Sequence, residues 1–395
     1  MMIFQGVDSM GAPGRYYAEG EFFAELQPDF CGSWAPTAEA PNVDYASLYV
    51  EGQGLDEVCP AHIRNKWIGA RTRLSAYLKA LRTAQVRWED RGLLGVVPEK
   101  DIRVFLDTKS EICRHVLETY TKPPNYDFLY SLSLLLSRIR SQTLRVDASQ
   151  LTHHLHKTSA RHLSKRLSKI SPHIKYNMFK GKTGRLTTDP DSFPILTLAK
   201  EYRNVLSPVN DCFVEIDYNA AELRTLLALS GLEQPTEDLH GWNIENVFRG
   251  LGTREEAKRR VFAWLYNPSA KDYLLDRVYD RASVVKKYFT GEEVTTFFDR
   301  TISCDSHHAL NYIIQSTTSD LFLRQALKVE QYVEKQLEKT FISFLVHDSI
   351  VLDVCREDLY ALKEIQEIFA CTDLGKFRTN ASYGQKYGEM RELSL

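Results

Sequence analysis

Along this 395-residue chain the apolar positions change their period several times. From residue 1 to about residue 60, Gly, Pro and aromatic residues crowd together without a sustained repeat. That pattern predicts an irregular extension that wraps another lobe or meets a partner. From Ile63 to about Val97 the spacing turns helical. It does so again from Asp127 to Leu144, where Leu129, Leu132, Leu135 and Ile139 share one side. A basic helical stretch follows from about Gln150 to Ile170 and stops near Pro172. The segment Asp211–Asp217 then reads as a strand, with a β-branched and aromatic middle. Ala220 to Ser230 reads as a helix closed by Gly231. Thr253-x-x-Glu256 forms a capping-box pattern at the head of another helix, which ends at Asn267-Pro268. A long helix spans about His308 to Lys339. Two apolar runs, Phe341–Val346 and Ile350–Val354, then flank His347-Asp348-Ser349 as a hairpin. A helical half followed by strand, helices, hairpin and helix predicts an α+β protein with helical lobes around a small sheet. No internal repeat or low-complexity tract interrupts this order.

The helix after Thr253 carries a second pattern. Arg254, Lys258, Phe262 and Tyr266 fall at intervals of four and therefore share one face. Two cations, a ring and a phenol extend over about 18 Å. A triphosphate followed by a sugar and a base has needs in that order: cations for the phosphates, rings for the sugar edge and base face.

Charge sharpens this picture. The formal net charge is only −2, yet from Ala148 to Thr188 there is no Asp or Glu. That stretch holds nine Lys and Arg residues, Lys157, Arg161 and Lys165 among them, and five of the eleven histidines. A local basic belt on a near-neutral chain is the footprint of phosphate-backbone binding. The seven cysteines are scattered without metal-ligand or redox spacing, which favours a reducing, cytoplasmic setting. No apolar run approaches a membrane helix, so no membrane role is expected. His153, His154 and His156 lack a nearby carboxylate or Cys, and read better as DNA-facing polar residues than as a metal cluster.

Two aspartates complete the candidate chemistry. Asp217 ends a strand and Asp348 sits in a hairpin turn, so a sheet can bring the two tips together. Two close carboxylates repel, and a divalent cation removes that repulsion. Two magnesium ions there would lower the pKa of an attacking hydroxyl and stabilise a leaving oxygen, with water and substrate phosphates completing the coordination. Singly, each aspartate is an ordinary surface acid. Joined to the cationic stripe, they read as a functional pair that faces a bound nucleotide.

These residues resemble motifs of the family A DNA polymerases, the group of bacterial DNA polymerase I and many bacteriophage replicative enzymes. Asp217-Tyr-Asn-Ala-Ala-Glu-Leu-Arg224 looks like motif A, Arg254-x3-Lys258-x3-Phe262-x3-Tyr266 like motif B, and Val346-His-Asp-Ser349 like motif C. In the expected order stand Thr183-Gly-Arg-Leu186, Asp238-Leu-His240, Asn311-x3-Gln315-x4-Asp320 and Tyr383-Gly-x2-Tyr387-Gly, each similar to a further family element. The resemblance runs from about Thr183 to the C-terminus.

The resemblance implies a right-hand polymerase fold with a small antiparallel palm sheet and helical thumb and fingers. It divides the chain into an extension over 1–60, thumb and start of palm over 61–182, palm over 183–231, fingers over 232–300, and palm again over 301–395. Asp217, Asp348 and the Tyr218 carbonyl would hold two Mg²⁺ ions, with Mn²⁺ as a substitute. Arg254, Lys258 and His240 would grip the incoming deoxynucleoside triphosphate, and Lys258 would also neutralise or protonate the leaving pyrophosphate. Phe262 and Tyr266 would pack against the sugar and the templating position. Glu222 would block a ribose 2′-hydroxyl. Arg185, Asn311, Gln315 and His347 would contact primer-template DNA, as would Lys157, Arg161 and Lys165 of the basic stretch.

The chain also departs from the family. Ser349 follows Asp348 where Glu is usual, and Asn267 follows Tyr266 where Gly is usual; Asn is the next best residue at positive φ. Asn219-Ala220 replaces a Ser-Gln pair, His307 stands where Arg is usual, and the spans around motif B are short, which implies reduced fingers. Too few residues precede the thumb-like helices for a proofreading exonuclease. That activity is expected from a separate protein, and a helicase or clamp is a further candidate partner, as for a compact bacteriophage-type enzyme. A single-subunit RNA polymerase shares the Arg-x3-Lys and His-Asp-Ser features; Glu222 and the short chain argue against it. A primer-template-binding accessory subunit without catalysis is the other alternative, against which the intact Asp217, Asp348, Arg254 and Lys258 argue.

Overall fold

The computed structural model describes residues 1–7, 14–86, 92–267 and 269–395. Part of the first predicted helix (87–91) and Pro268 of the predicted helix stop lie outside the described residues. The chain forms two compact units, residues 1–143 with 173–175, and residues 144–172 with 176–395.

The first unit corrects one expectation. The described residues within 1–60 are not an irregular extension: they carry a five-stranded sheet of β1 (Met2–Gly6), β2 (Tyr16–Ala18), β3 (Glu21–Phe23), β4 (Phe30–Ser33) and β5 (Asp44–Tyr45), in the order β3-β2-β1-β4-β5. β1 pairs antiparallel with β2 and parallel with β4. The strands have two to five residues, too short for alternation to register, and those in the middle of the sheet bury residues on both faces. Helices α1 (Arg64–Thr83), α2 (Glu99–Thr119) and α3 (Tyr126–Ser141) complete the unit. Ile3, Trp34 and Ala46 share one core with Trp67, Ile112 and Val116, so the first 60 residues and the helices after them fold together.

In the second unit the basic stretch is broken. A 3-10 segment over Ala148–His154 precedes α4 (Thr158–Leu167), because Leu155-His-Lys turns the chain before the helix begins. Lys157 is the N-cap residue of α4, and Arg161 and Lys165 follow at helical spacing on its exposed side.

The central sheet of this unit is antiparallel throughout. β6 (Cys212–Tyr218) lies between β8 (Ser349–Val354) and β9 (Thr379–Gly384), flanked by β7 (Phe341–Val346) and β10 (Arg391–Leu393). Val214 and Ile216 are buried on one face of the strand, whereas Glu215 and Asp217, only half-buried, share the other face. The register sets Asp217 opposite Ser349 on one side and Asn380 on the other. The 31-residue helix α8 (Ser306–Gln336) begins at Asp305, whose carboxylate accepts from the His308 N–H at 3.0 Å.

Helix α7 (Arg254–Tyr266) shows how one segment serves two demands. Thr253 Oγ1 accepts from the Glu256 N–H, and Glu256 Oε2 accepts from the Thr253 N–H at 2.8 Å, completing the expected capping box. Ala257, Val261, Trp264 and Leu265 are buried in a cluster with Leu223, Leu226, Ile313 and Ile314. Each of the larger side chains contributes about 1.5–3 kcal/mol by leaving water. Trp264 Nε1 donates to Asp276 at 2.9 Å, so its burial leaves no orphaned donor. With that stripe committed to the core, Arg254, Lys258, Phe262 and Tyr266 remain on another face. The helix ends at Asn267 with φ −105°, so its exit uses extended backbone and no left-handed residue, contrary to the turn expected there.

Candidate active site

One cavity of about 440 Å³ gathers most of the candidate residues within the second unit. The end of β6 supplies Asp217 and Tyr218, and the next helix, α5 (Ala221–Leu229), supplies Glu222. His240 comes from α6 (Leu239–Asn246), and α7 presents Arg254, Lys258, Phe262 and Tyr266. The hairpin tip supplies His347 and Asp348, and Arg185 enters from a loop. Asn311, Gln315, Lys157, Arg161 and Lys165 do not line it. Asn311 and Gln315 are half-buried one turn apart on α8, and Thr318, Ser319 and Phe322 of that helix reach the cavity instead.

Two non-glycine residues beside the aspartates hold left-handed backbone. Ala220 has φ 56° and His347 has φ 55°. Each costs of order 1–3 kcal/mol unless its surroundings enforce it, and such residues cluster at functional sites. At the hairpin, Val346 pairs with Ser349, so only His347 and Asp348 remain to reverse the chain.

Burial pushes the Asp217 carboxyl up to about 6, opposed by an Asn380 hydrogen bond and reinforced by the negative charges of Asp348 and Glu215. Asn380 Nδ2 lies 3.5 Å from Asp217 Oδ2. Burial also raises Asp348, while His347, Arg185 and Lys258 pull it back. Two close acids destabilised as anions by burial fit a hard divalent cation. Among the described residues no group of three His, Cys, Asp or Glu side chains is placed to hold an ion, so water and substrate would supply the remaining ligands. The Tyr218 phenol donates to the Phe369 carbonyl at 2.7 Å and its ring stacks on Phe369, leaving only the backbone of Tyr218 for a cavity role.

The cations are engaged unequally. Arg254 binds Asp238 through two bonds of 2.8 and 3.0 Å. Burial works against the Asp238 anion, but Arg254, Asn219 and the Gly241 N–H hold its carboxyl well below the usual range. Arg185 pairs with Glu222, whose carboxyl burial raises and Arg185 lowers. Lys258 makes no ion pair among the described residues. His240 is buried, burial lowers its pKa, and its Nδ1 has no partner. Glu222 Oε2 is likewise buried without one. Both atoms border the cavity, where a ligand could supply their partners. Phe262 stacks on Tyr266 with ring centres 5.7 Å apart and meets His240 at 5.8 Å, which extends the wall from cations to rings.

Sequence reasoning gave no site role to Asn380, Ser319, Phe322 or Glu215. Their proximity to the aspartates depends on strand register and helix packing, for which no local pattern signals. Asp238 was visible only as part of the Asp-Leu-His segment; its grip on Arg254 was not.

The fold is one found in solved DNA polymerase domains. A solved structure it resembles is the POL domain of Pol1 from M. smegmatis, in complex with DNA primer-template and dNTP. The likeness has a TM-score of 0.62 and covers 88% of this chain and 83% of that one, at 14% sequence identity. At that identity it is a likeness of fold. No family model matches the chain, and no curated protein does. Among the described residues no helix is long and apolar enough to cross a membrane.

Proposed function

We propose that this protein is a template-directed DNA polymerase of the family A type, which extends a primer 3′ end with deoxynucleotides and releases pyrophosphate. The observation that carries the reading is the single cavity joining two raised carboxylates to the Arg254, Lys258, Phe262, Tyr266 face. A fold shared with a polymerase domain supports it. In this reading the sheet is the palm, α7 belongs to the fingers, and the basic segment around α4 belongs to the thumb.

Asp217 and Asp348, with the Tyr218 carbonyl, would hold divalent cations, Mg²⁺ or Mn²⁺. Bound there, such ions supply Lewis-acid activation of the primer hydroxyl and charge stabilisation at the phosphate. Lys258 and Arg254 neutralise the triphosphate, with Arg254 leaving Asp238 to do so. His240, neutral at pH 7, offers its unpartnered Nδ1 to the same group. Phe262 and Tyr266 orient the sugar and base by stacking. Glu222 occupies the space a 2′-hydroxyl would need, and its buried oxygen makes that collision costly. Arg185, His347, Asn311 and Gln315 are assigned to the primer-template, and the α4 cations to its backbone. Catalysis then rests on positioning and fixed charge.

The test is primer extension with Mg²⁺, comparing the wild type with Asp348→Asn. Extension that disappears in the variant, while primer-template binding persists, is the expected result. A wild type that binds primer-template but never extends it assigns the chain an accessory role instead. Preference for ribonucleotides in the wild type overturns the DNA polymerase reading in favour of an RNA polymerase.

A further inference from the structure

We propose that Glu215 is a positioning residue of this centre: a third carboxylate that strengthens cation binding at Asp217 and Asp348 and fixes Ser349 between them. The inference rests on the metal-dependent reading above.

Glu215 precedes Asp217 by two residues on β6, so both side chains leave the same face of the strand. The register puts Ser349 directly across from Asp217 and diagonally from Glu215. A glutamate is long enough to span that diagonal. Ser349 is buried, and its Oγ donates toward Glu215 Oε1 at 2.9 Å and toward the Val346 carbonyl at 3.0 Å. One hydroxyl proton is thus shared between two acceptors, which holds the side chain at the base of the hairpin that carries Asp348. Tyr387 also points its hydroxyl at Glu215 Oε1, at 3.5 Å.

No cation neutralises Glu215 among the described residues. Arg203 is drawn to the neighbouring Tyr387 ring instead, 4.5 Å from its centre. A half-buried carboxylate reached only by hydroxyls keeps its charge expressed toward whatever lies nearby. What lies nearby is Asp217, two residues along the same face of β6. Three acids at one end of one sheet make an arrangement that is costly without a cation and favourable with one. Glu215 is not a direct ligand, since no three acids here are placed to hold one ion. It acts through its charge on the Asp217 and Asp348 site, and the Ser349 bond only orients it. Outer partners of this kind typically contribute 10–100-fold in metal affinity.

The experiment is Mn²⁺ binding to the full chain, followed by electron paramagnetic resonance of the free ion, with circular dichroism confirming the fold. Glu215→Gln keeps an acceptor oxygen for Ser349 and removes only the charge. We expect its Mn²⁺ affinity to fall about tenfold, and Ser349→Ala, which keeps the charge, to stay within about threefold of the wild type. Moving the acid in Glu215→Gln/Ser349→Glu should recover most of the loss. Wild-type affinity in Glu215→Gln overturns the proposal, as does a tenfold loss in Ser349→Ala, which would place the effect in the hydroxyl network alone. Asp217→Asn separates the two levels. If it abolishes binding while Glu215→Gln binds Mn²⁺ as the wild type does, only the role of Glu215 fails. If it binds Mn²⁺ as the wild type does, the metal-dependent reading fails and this inference with it.

Discussion

Asp217 should destabilise the metal-free fold at neutral pH. Its carboxyl is raised from 3.8 to about 6 by burial, with Asp348 and Glu215 adding to the effect. A group whose folded pKa is raised favours the folded state while protonated. That contribution is complete below the unfolded value and is lost as pH rises through the folded one. Loss therefore begins near pH 4 and is complete a little above pH 6. A rise from 3.8 to about 6 corresponds to about 3 kcal/mol at most. Asp217 is only half-buried, so solvent screening reduces this to about 1.5–3 kcal/mol. Asp217→Asn removes the ionisation and should make the metal-free protein more stable than the wild type at pH 8 by that amount. For a unit of this size the gain equals a melting shift of about 3–10 °C. Differential scanning calorimetry in EDTA at pH 4, 6 and 8 measures it, with the difference between variant and wild type closing at pH 4. Millimolar Mg²⁺ should stabilise the wild type and narrow the gap at pH 8. A variant no more stable than the wild type at pH 8, or equally more stable at all three values, refutes the reasoning.

Three further outcomes are expected. Trp264→Ala empties the core beneath α7 and removes the Trp264 bond to Asp276, so urea denaturation should show a loss of about 3–5 kcal/mol. Glu222→Ala should raise ribonucleotide incorporation relative to deoxynucleotide incorporation at least tenfold in competition primer extension, while leaving Mg²⁺ dependence unchanged. Replacing Arg161 and Lys165 with Ala should weaken primer-template binding and lower the slope of log affinity against log salt by about 2. Adding Lys157→Ala should change that slope less than one more full contact would, because Glu201 already pairs with Lys157.

The sequence was informative where one local rule decided the outcome. The capping box and the four-residue interval placed α7 and its free face, and the apolar runs around His347-Asp348-Ser349 placed the hairpin. A β-branched core marked β6 to within a residue. It was silent where structure depends on pairing between distant segments. Asn380 meets Asp217 only through the β6–β9 register, and Ser349 meets Glu215 only through β6–β8. The sheet of the first unit went unread because strands of two to five residues, covered on both faces, show no alternation. The basic stretch lost its continuous helix because composition identified its charge but not the turn before Thr158. Tyr218 was legible as a position, while the burial of its ring against Phe369 was not.

The bidentate bond between Arg254 and Asp238 has a consequence for selectivity. The guanidinium has an occupant already, so an arriving anion has to compete for it by exchange. A lone phosphate or a cellular carboxylate trades one oxygen pair for a similar one and gains little. An anion long enough to reach Lys258 as well gains a cation that makes no ion pair among the described residues. Under the proposed function, the unliganded site would set an entry threshold by chain length, passing over small anions and responding to polyphosphates.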